Sequence, residues 1–290
     1  MKFIFVGAGY CSEFIIPLLS KNCKIIGIHK SLPPKLRYKY FNHVQRYDYA
    51  HFLDDKKDIL KGVTHILVSI PPDEKGDRFI NNIGKDLIEL KSLKWLGYFS
   101  STGVYGNHSG KWVDENSELR TNNTRSRNRI KAEEQYLNFF KKNALPVHIF
   151  RLPGIYGPKK SILEKIKEKK VLIIKKRGHV FSRVYVKDIA KCRIKSIKKI
   201  TPGEIYNVSD DRRCSSEQLI LYACKKMKLK KPNPINYNDI TISEMTKSFY
   251  KENKKVSNMK IKELLDWNPD FRDYKEGLKD ILEIYDDIII

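Results

Sequence analysis

No apolar run in the chain approaches the ~18–20 residues that a membrane-spanning helix needs. The apolar start Phe3–Val6 is too short for the core of a secretion signal and runs straight into glycines. Cysteine is sparse: Cys11, Cys23, Cys192, Cys214 and Cys224 make an odd count without a C-x-x-C spacing. That argues against a disulfide framework or a zinc site and fits reduced thiols. The seven histidines form no H-E-x-x-H pattern, so no metal site is expected. No internal repeat is present. What the chain does have is 290 residues with 41% hydrophobic content, enough for a sizeable core, which excludes intrinsic disorder. These features predict a soluble, cytoplasmic protein with no membrane partner, built as one large domain or as a core with a smaller lobe.

Acid is also in short supply. There are 34 Asp and Glu against 57 Lys and Arg, a formal net charge of +23. The 43 lysines are scattered in ones and twos, with no long basic arm. The pattern reads as solvated, lysine-biased faces, and no specific nucleic-acid partner is expected. A charge this high still predicts salt-sensitive, non-specific binding to anions.

Along the first half, strand-like and helix-like segments alternate. Lys2–Val6, Lys24–Ile28, His65–Ile70, Trp95–Ser100 and Val147–Arg151 read as buried strands. Ser12–Leu19, which Pro17 would kink or force to start late, and Phe79–Leu90 and Ile130–Phe140 read as helices. Such alternation implies right-handed crossovers onto a parallel sheet, an α/β class fold of the Rossmann-like, doubly wound kind. Beyond Pro158 the character changes. Ile162–Lys170 and Ser216–Met227 read as helices, whereas Phe181–Val186 and Glu204–Val208 read as strands rejoining the core. The expected division is a core of residues 1–160, joined again by about 183–212, and a smaller C-terminal substrate lobe of 161–182 and 213–290.

The first strand opens directly into Gly7-Ala8-Gly9-Tyr10-Cys11-Ser12, and a helix follows. That is the context a dinucleotide fingerprint requires. Gly7 permits the tight turn, and Gly9 lets a pyrophosphate approach the backbone without meeting a Cβ. Ser12 stands where the third glycine would be and is small enough for close helix–strand packing. Tyr10 and Cys11 complete the candidate cofactor turn. An acid about 20 residues beyond the fingerprint holds the ribose hydroxyls of NAD, yet Lys24–Arg37 contains neither Asp nor Glu. His29 and Lys30 occupy that place. Lys30 could pair with a 2′-phosphate, so the charge logic points to NADP, with NAD possible.

Three later blocks extend the pattern: Tyr98-Phe99-Ser100-Ser101-Thr102-Gly103-Val104-Tyr105-Gly106, Arg151-Leu152-Pro153-Gly154-Ile155-Tyr156-Gly157-Pro158, and Ser182-Arg183-Val184-Tyr185-Val186-Lys187-Asp188-Ile189-Ala190. With the glycine turn, and in this order, they resemble the extended and atypical short-chain dehydrogenase/reductases, the NAD-dependent epimerase/dehydratase family that includes sugar-nucleotide enzymes. The resemblance implies an NAD(P)-binding Rossmann core, a substrate lobe, and chemistry by a Ser/Thr, a Tyr and a Lys. Ser101 matches the Ser/Thr, with Thr102 beside it. Aligning Ala132-Glu133 with the family's Ala-Glu puts Arg125 where the tyrosine is expected and Arg129 where the lysine is expected. The chain therefore resembles a branch of the family that keeps the fold without that tyrosine.

Arginine stays protonated, so Arg125 cannot donate and recover a proton near neutral pH. Arg129 can still supply charge and hydrogen bonds to a ribose or phosphate, and Arg125 to an anionic substrate. Tyr105 and Tyr156 are the candidates for the missing proton donor, with Tyr156 also placed on the substrate side. The resemblance puts Arg183 toward the substrate and Asp188 at a helix start. The function expected is NAD(P)-dependent oxidoreductase or epimerase/dehydratase chemistry on a hydroxyl or carbonyl of an anionic small molecule, such as a sugar nucleotide. The alternative is a non-catalytic dinucleotide sensor or scaffold, with nucleic-acid binding a more distant third.

Overall fold

The structure is a computed structural model and describes residues 1–31, 44–239 and 242–289. The chain divides into two compact units, one of residues 1–104, 122–151 and 190–206, the other of 105–121, 152–189 and 207–290. Sequence reasoning drew the boundary elsewhere, placing 105–121 with the core. Glycine and proline turns mark where a strand stops, but not which body the following loop packs on.

The first unit is built on β1 (Lys2–Val6), α1 (Tyr10–Ile15), β2 (Lys24–His29), β3 (Val44–Asp48), α2 (Tyr49–Asp54), α3 (Lys56–Leu60), β4 (His65–Val68), α4 (Arg78–Glu89), β5 (Trp95–Ser101) and α5 (Thr124–Asn143). The strands Val147–Leu152 and Glu204–Asn207 complete a seven-stranded sheet. Its order runs Glu204–Asn207, Val147–Leu152, β5, β4, β1, β2, β3. From β5 to β3 the pairing is parallel. The order reverses direction between β1 and β4. That is the switch point of a doubly wound sheet, where the crevice beyond the strand ends takes ligands.

The strands read as near-continuous apolar runs because both faces are covered. Ile4, Val6, Ile26, Ile66, Val68, Leu96, Tyr98, Val147 and Ile149 pack on one face with Phe52, Phe79, Ile83, Leu87 and Tyr136. Phe3, Phe5 and Trp95 stack in a row on the other. Pro17 does not delay the helix but closes it: α1 begins at Tyr10 and ends at Ile15, and a 3₁₀ turn, Ile16–Leu18, takes over with Pro17 in its first positions. α5 begins six residues before its apolar periodicity does. The Asn123 side chain accepts from the Arg125 N–H at 2.9 Å, and this cap starts the helix within the basic turn.

In the second unit, Arg183–Tyr185 pairs in parallel with Gly154–Tyr156, and Pro234–Asn236 with Ile173–Lys175. Of the two strands expected to rejoin the main sheet, only Glu204–Asn207 does so. The apolar core here gathers Leu163, Tyr185, Leu219, Ile220, Leu278 and Ile281. The helix Val186–Lys198 runs through both units.

Candidate functional site

The turn after β1 is shaped by two glycines with opposite surroundings. Gly7 adopts φ +85°, and a Cβ there would lie 2.9 Å from Ile70 Cγ2 and 3.0 Å from Ser69 Oγ. It is closed in by the end of β4 as well as by its backbone. Ser69 Oγ donates to Gly7 O at 2.8 Å, and Ser69 N donates to Val6 O, so the two strand ends at the switch point are tied together. Gly9 precedes α1, and among the described residues a Cβ there would meet nothing nearer than Gly7 O at 3.7 Å. Its open side is the kind of cradle a pyrophosphate needs and a side chain would fill. Ser12 is buried and its hydroxyl donates to Gly9 O, which secures the turn from beneath. Tyr10 and Cys11 lie half-buried in the first turn of α1. α1 is only six residues long, so little macrodipole stands behind this turn.

At the end of β2, His29 is half-buried. Burial first, and then the Arg46 cation on β3, lower its imidazole pKa. Lys30 follows, exposed. Sequence reasoning missed β3, whose Val-Gln-Arg-Tyr-Asp pattern is neither apolar nor alternating. β3 brings Arg46 to this end and pairs Asp48 with His29 in register. The acid absent from β2 is thus supplied one strand over. Asp48 accepts the His51 N–H as the cap of α2. Residues 32–43, including Arg37, lie outside the described residues.

The turn after β5 is a tied network. Ser100 donates to Glu133 on α5, and Glu133 receives a fork from Arg151, Nε to Oε1 at 3.1 Å and Nη2 to Oε2 at 2.7 Å. Both partners are 3% exposed. Ser101 Oγ accepts the Gly103 N–H at 3.1 Å, and Thr102 is buried. A Cβ on Gly103 would lie 2.7 Å from Ser126 Oγ, so this glycine lets the turn sit against the start of α5. Arg129 Nη1 donates to Phe99 O at 2.9 Å. The structure therefore brings Ser101, Thr102 and Arg129 to the carboxyl end of β5. Arg125, one helical turn earlier, is exposed. Beside it opens a cleft of about 490 Å³ lined by Asp73, Glu74, Lys75, Thr124 and Asn128.

Behind this cleft lies a group the sequence did not reveal. Asp77 is fully buried and caps α4, its Oδ1 accepting from Ile80 N at 3.0 Å and from the Tyr136 hydroxyl at 3.1 Å. Its other oxygen has no hydrogen-bond partner. Burial pushes its carboxyl up to about 6 against the opposing pull of those hydrogen bonds and of Arg129. An Asp followed by an apolar helical pattern was the available signal, and it reads as a cap rather than as a perturbed acid.

The two tyrosines named as proton donors lie in the second unit, and both are buried. Tyr105 donates to Asn207 Oδ1 at 2.7 Å. Tyr156 donates to Asp273 O at 3.3 Å. Burial, followed by the charges of Asp210 and Asp188, raises the Tyr156 hydroxyl well above the usual phenol range. Arg183 Nη1 is held by Phe181 O, Cys214 O and Cys214 Sγ at 3.0–3.2 Å. Asp188 lies in the first turn of the helix Val186–Lys198, the end where its charge is favourable. Its carboxylate accepts the Asp270 and Phe271 N–H groups and pins that loop. Among the described residues, no group of three or more His, Cys, Asp or Glu could hold a metal, and no helix is long and apolar enough to cross a membrane.

Comparison with known proteins adds three findings. The model of the NAD dependent epimerase/dehydratase family matches residues 86–209. Human dTDP-D-glucose 4,6-dehydratase is 24% identical over 237 residues, covering 77% of this chain and 60% of that protein. A bovine protein of the same name is 26% identical, with 41% of its length covered. The chain thus spans about half the length of these curated relatives. Among solved structures, a functionally unknown conserved protein from Silicibacter pomeroyi is 33% identical, with 98% of each chain covered and a TM-score of 0.89. A dTDP-glucose 4,6-dehydratase from Bacillus anthracis, solved with NAD, is 17% identical, covers 99% and 97%, and has a TM-score of 0.80; at that identity the likeness is one of fold.

Proposed function

We propose that this chain, whose residues 86–209 match the model of the NAD dependent epimerase/dehydratase family, is an NAD(P)-dependent enzyme of that family, of the oxidoreductase or epimerase/dehydratase type. The observation that carries this reading is the contrast at the switch point, where Gly7 is closed in by the residues after β4 while, among the described residues, a Cβ on Gly9 would meet only Gly7 O at 3.7 Å. Gly7, Gly9, Tyr10, Cys11 and Ser12 would hold the pyrophosphate, and His29 and Lys30 the adenosine end. When bound, the nicotinamide supplies hydride acceptance and donation. The chain's own residues bind, orient and exclude water. Ser101 offers its hydroxyl proton to a reacting oxygen, since that oxygen already accepts from Gly103 N–H. Arg129 holds α5 against β5, and Arg125 offers an exposed cation to an anionic substrate.

The substrate proposed is an anionic small molecule bearing a hydroxyl or carbonyl, and the named relatives make a sugar nucleotide the first class to test. We further propose a preference for NADP(H), supported by Lys30 and Arg46 at the end of the sheet and opposed by Asp48, whose carboxylate is engaged in its helix cap. A cytoplasmic enzyme with a small-molecule partner fits these elements. The test is calorimetry with NAD(H) and NADP(H), followed by turnover of a sugar-nucleotide and carbonyl panel. No dinucleotide binding would overturn the reading.

A second reading, a dinucleotide sensor without turnover, draws on one observation. Both tyrosines are buried and hydrogen-bonded, and Arg125 stands in the acid's place. Tyr105→Phe and Tyr156→Phe separate the two readings. A kcat loss of about 10²-fold in one of them marks a proton donor. Unchanged kcat in both leaves Ser101 and water as the proton route.

A further inference from the structure

The second unit places two lysine-rich helix ends side by side. The helix Ile162–Lys167 feeds the strand Ile173–Lys175, and the helix Ser216–Lys226 feeds the strand Pro234–Asn236. These strands pair in parallel and in register, Ile173 opposite Pro234. Two parallel strands that start together, each fed by a short loop, bring the carboxyl ends of both helices to one edge. Each helix closes in the same way, with a lysine in the left-handed conformation, Lys169 at φ 55° and Lys228 at φ 55°.

That edge carries exposed Lys165, Lys167, Lys169 and Lys170 from the first helix end. The second adds exposed Lys225, Lys226, Lys228, Lys230 and Lys231. Within 162–172 and 225–234 two acids stand against them. Glu164 is engaged in its capping box with Ser161, and Glu168 pairs with Lys170 at 2.9 Å. Between the lysines, Leu172 and Leu229 are 49% and 46% exposed. The sequence showed scattered lysines, and the fold is what gathers these.

We propose that this edge is a docking surface for an anionic lipid bilayer. Complementary charge sets the sign of the partner, and composition selects among anions. Neither 165–172 nor 225–234 contains an arginine or an aromatic residue. Two tyrosines flank the edge, Tyr285 and Tyr222, but both are half-buried and lie under lysines, Lys167 and Lys226; these segments thus offer no bidentate reader of base edges and no uncovered stacking platform, the two devices nucleic-acid binders use. It has point charges, which attract lipid phosphates and serine headgroups, and two exposed leucines, which gain by entering the headgroup–acyl boundary. The association is peripheral and reversible, and it is independent of the dinucleotide site.

Sedimentation of the whole protein with vesicles of phosphatidylcholine and phosphatidylserine, at about 3:1, tests the proposal. Binding is expected to these vesicles and not to pure phosphatidylcholine, weakening about tenfold or more between about 50 and about 300 mM salt. Reversing Lys225→Glu, Lys228→Glu, Lys230→Glu and Lys231→Glu together is expected to weaken binding about tenfold or more. Reversing four exposed lysines of the first unit, Lys57→Glu, Lys85→Glu, Lys91→Glu and Lys142→Glu, changes net charge equally and should weaken it by no more than about twofold. The paired change Leu172→Ser and Leu229→Ser should remove the binding that survives at high salt. Circular dichroism confirms that each variant folds. Equal loss in both charge-reversal sets would overturn the proposal, because net charge alone would then explain the binding. Tighter binding to RNA or duplex DNA than to the vesicles, lost with the same four lysines, would overturn it in favour of a nucleic-acid surface.

Discussion

The turn after β1 and the turn after β5 both leave the carboxyl edge of one sheet, yet they spend their polar groups differently. After β1 the side chains withdraw. Gly7 is packed against Ile70, Ser12 and Ser69 turn inward to backbone carbonyls, and Gly9 is left facing open space. After β5 the side chains bind one another. Ser100, Glu133 and Arg151 form a buried chain, Ser101 accepts from Gly103, and Arg129 reaches the Phe99 carbonyl. The first turn offers backbone to a ligand, and the second fixes the position of α5. A hydroxyl or cation at a strand end is therefore weak evidence of chemistry until its neighbours are known, whereas a glycine with room beside it needs a reason for that room.

The largest effect expected from breaking this contrast is at Glu133. Glu133→Ala removes the carboxylate that forks with buried Arg151, and should cost about 3–5 kcal/mol of stability by denaturant unfolding. Replacing both members, Glu133→Leu with Arg151→Met, should recover much of that loss. A single-variant cost below about 1 kcal/mol would mean the chain of contacts does not hold the turn.

Asp77 gives the next effect, and it is pH-dependent. Its carboxyl is raised from 3.8 to about 6, so between those values the folded state holds a proton that the unfolded state has released. Stability should then fall as pH rises through this window, by roughly 3 kcal/mol, and level off above it. Asp77→Asn keeps an oxygen for the helix cap and should flatten this part of the profile. A wild-type profile that rises over the same range would contradict the assignment.

A smaller change is expected at the adenosine end. NADP(H) should bind several-fold tighter than NAD(H), and Lys30→Asp should narrow or reverse the ratio, a difference of about 1–3 kcal/mol. If wild type prefers NAD(H), Asp48 on the neighbouring strand outweighs Lys30 and Arg46.

The parts legible in the sequence were those where backbone demands choose the residue. Gly7 and Gly9 after an apolar strand announced the turn, Pro17 announced a break in the first helix but not its position, and continuous apolar runs announced β1, β4 and β5. The strand β3 was not legible, because an edge strand with one polar-facing side has no continuous apolar run to reveal it. The start of α5 was hidden too, since its first turn is capped by Asn123 and carries arginines rather than a periodic apolar face. Tyr105, Tyr156 and Arg183 were named from their positions in motifs. Their hydrogen bonds to Asn207, to Asp273 and to the Cys214 carbonyl join residues distant in the chain. No local pattern encodes such contacts.

The central claim is that the open side of Gly9 is where a dinucleotide lies, and Gly9→Val tests it most directly. Among the described residues, the nearest atom a Cβ at this position would meet is Gly7 O at 3.7 Å, so the variant should fold as the wild type does by circular dichroism and thermal unfolding. Calorimetry with NAD(H) and NADP(H) should then show binding to the wild type and none to the folded variant, because the valine occupies the space the pyrophosphate needs. Equal affinity in the two proteins would contradict the account.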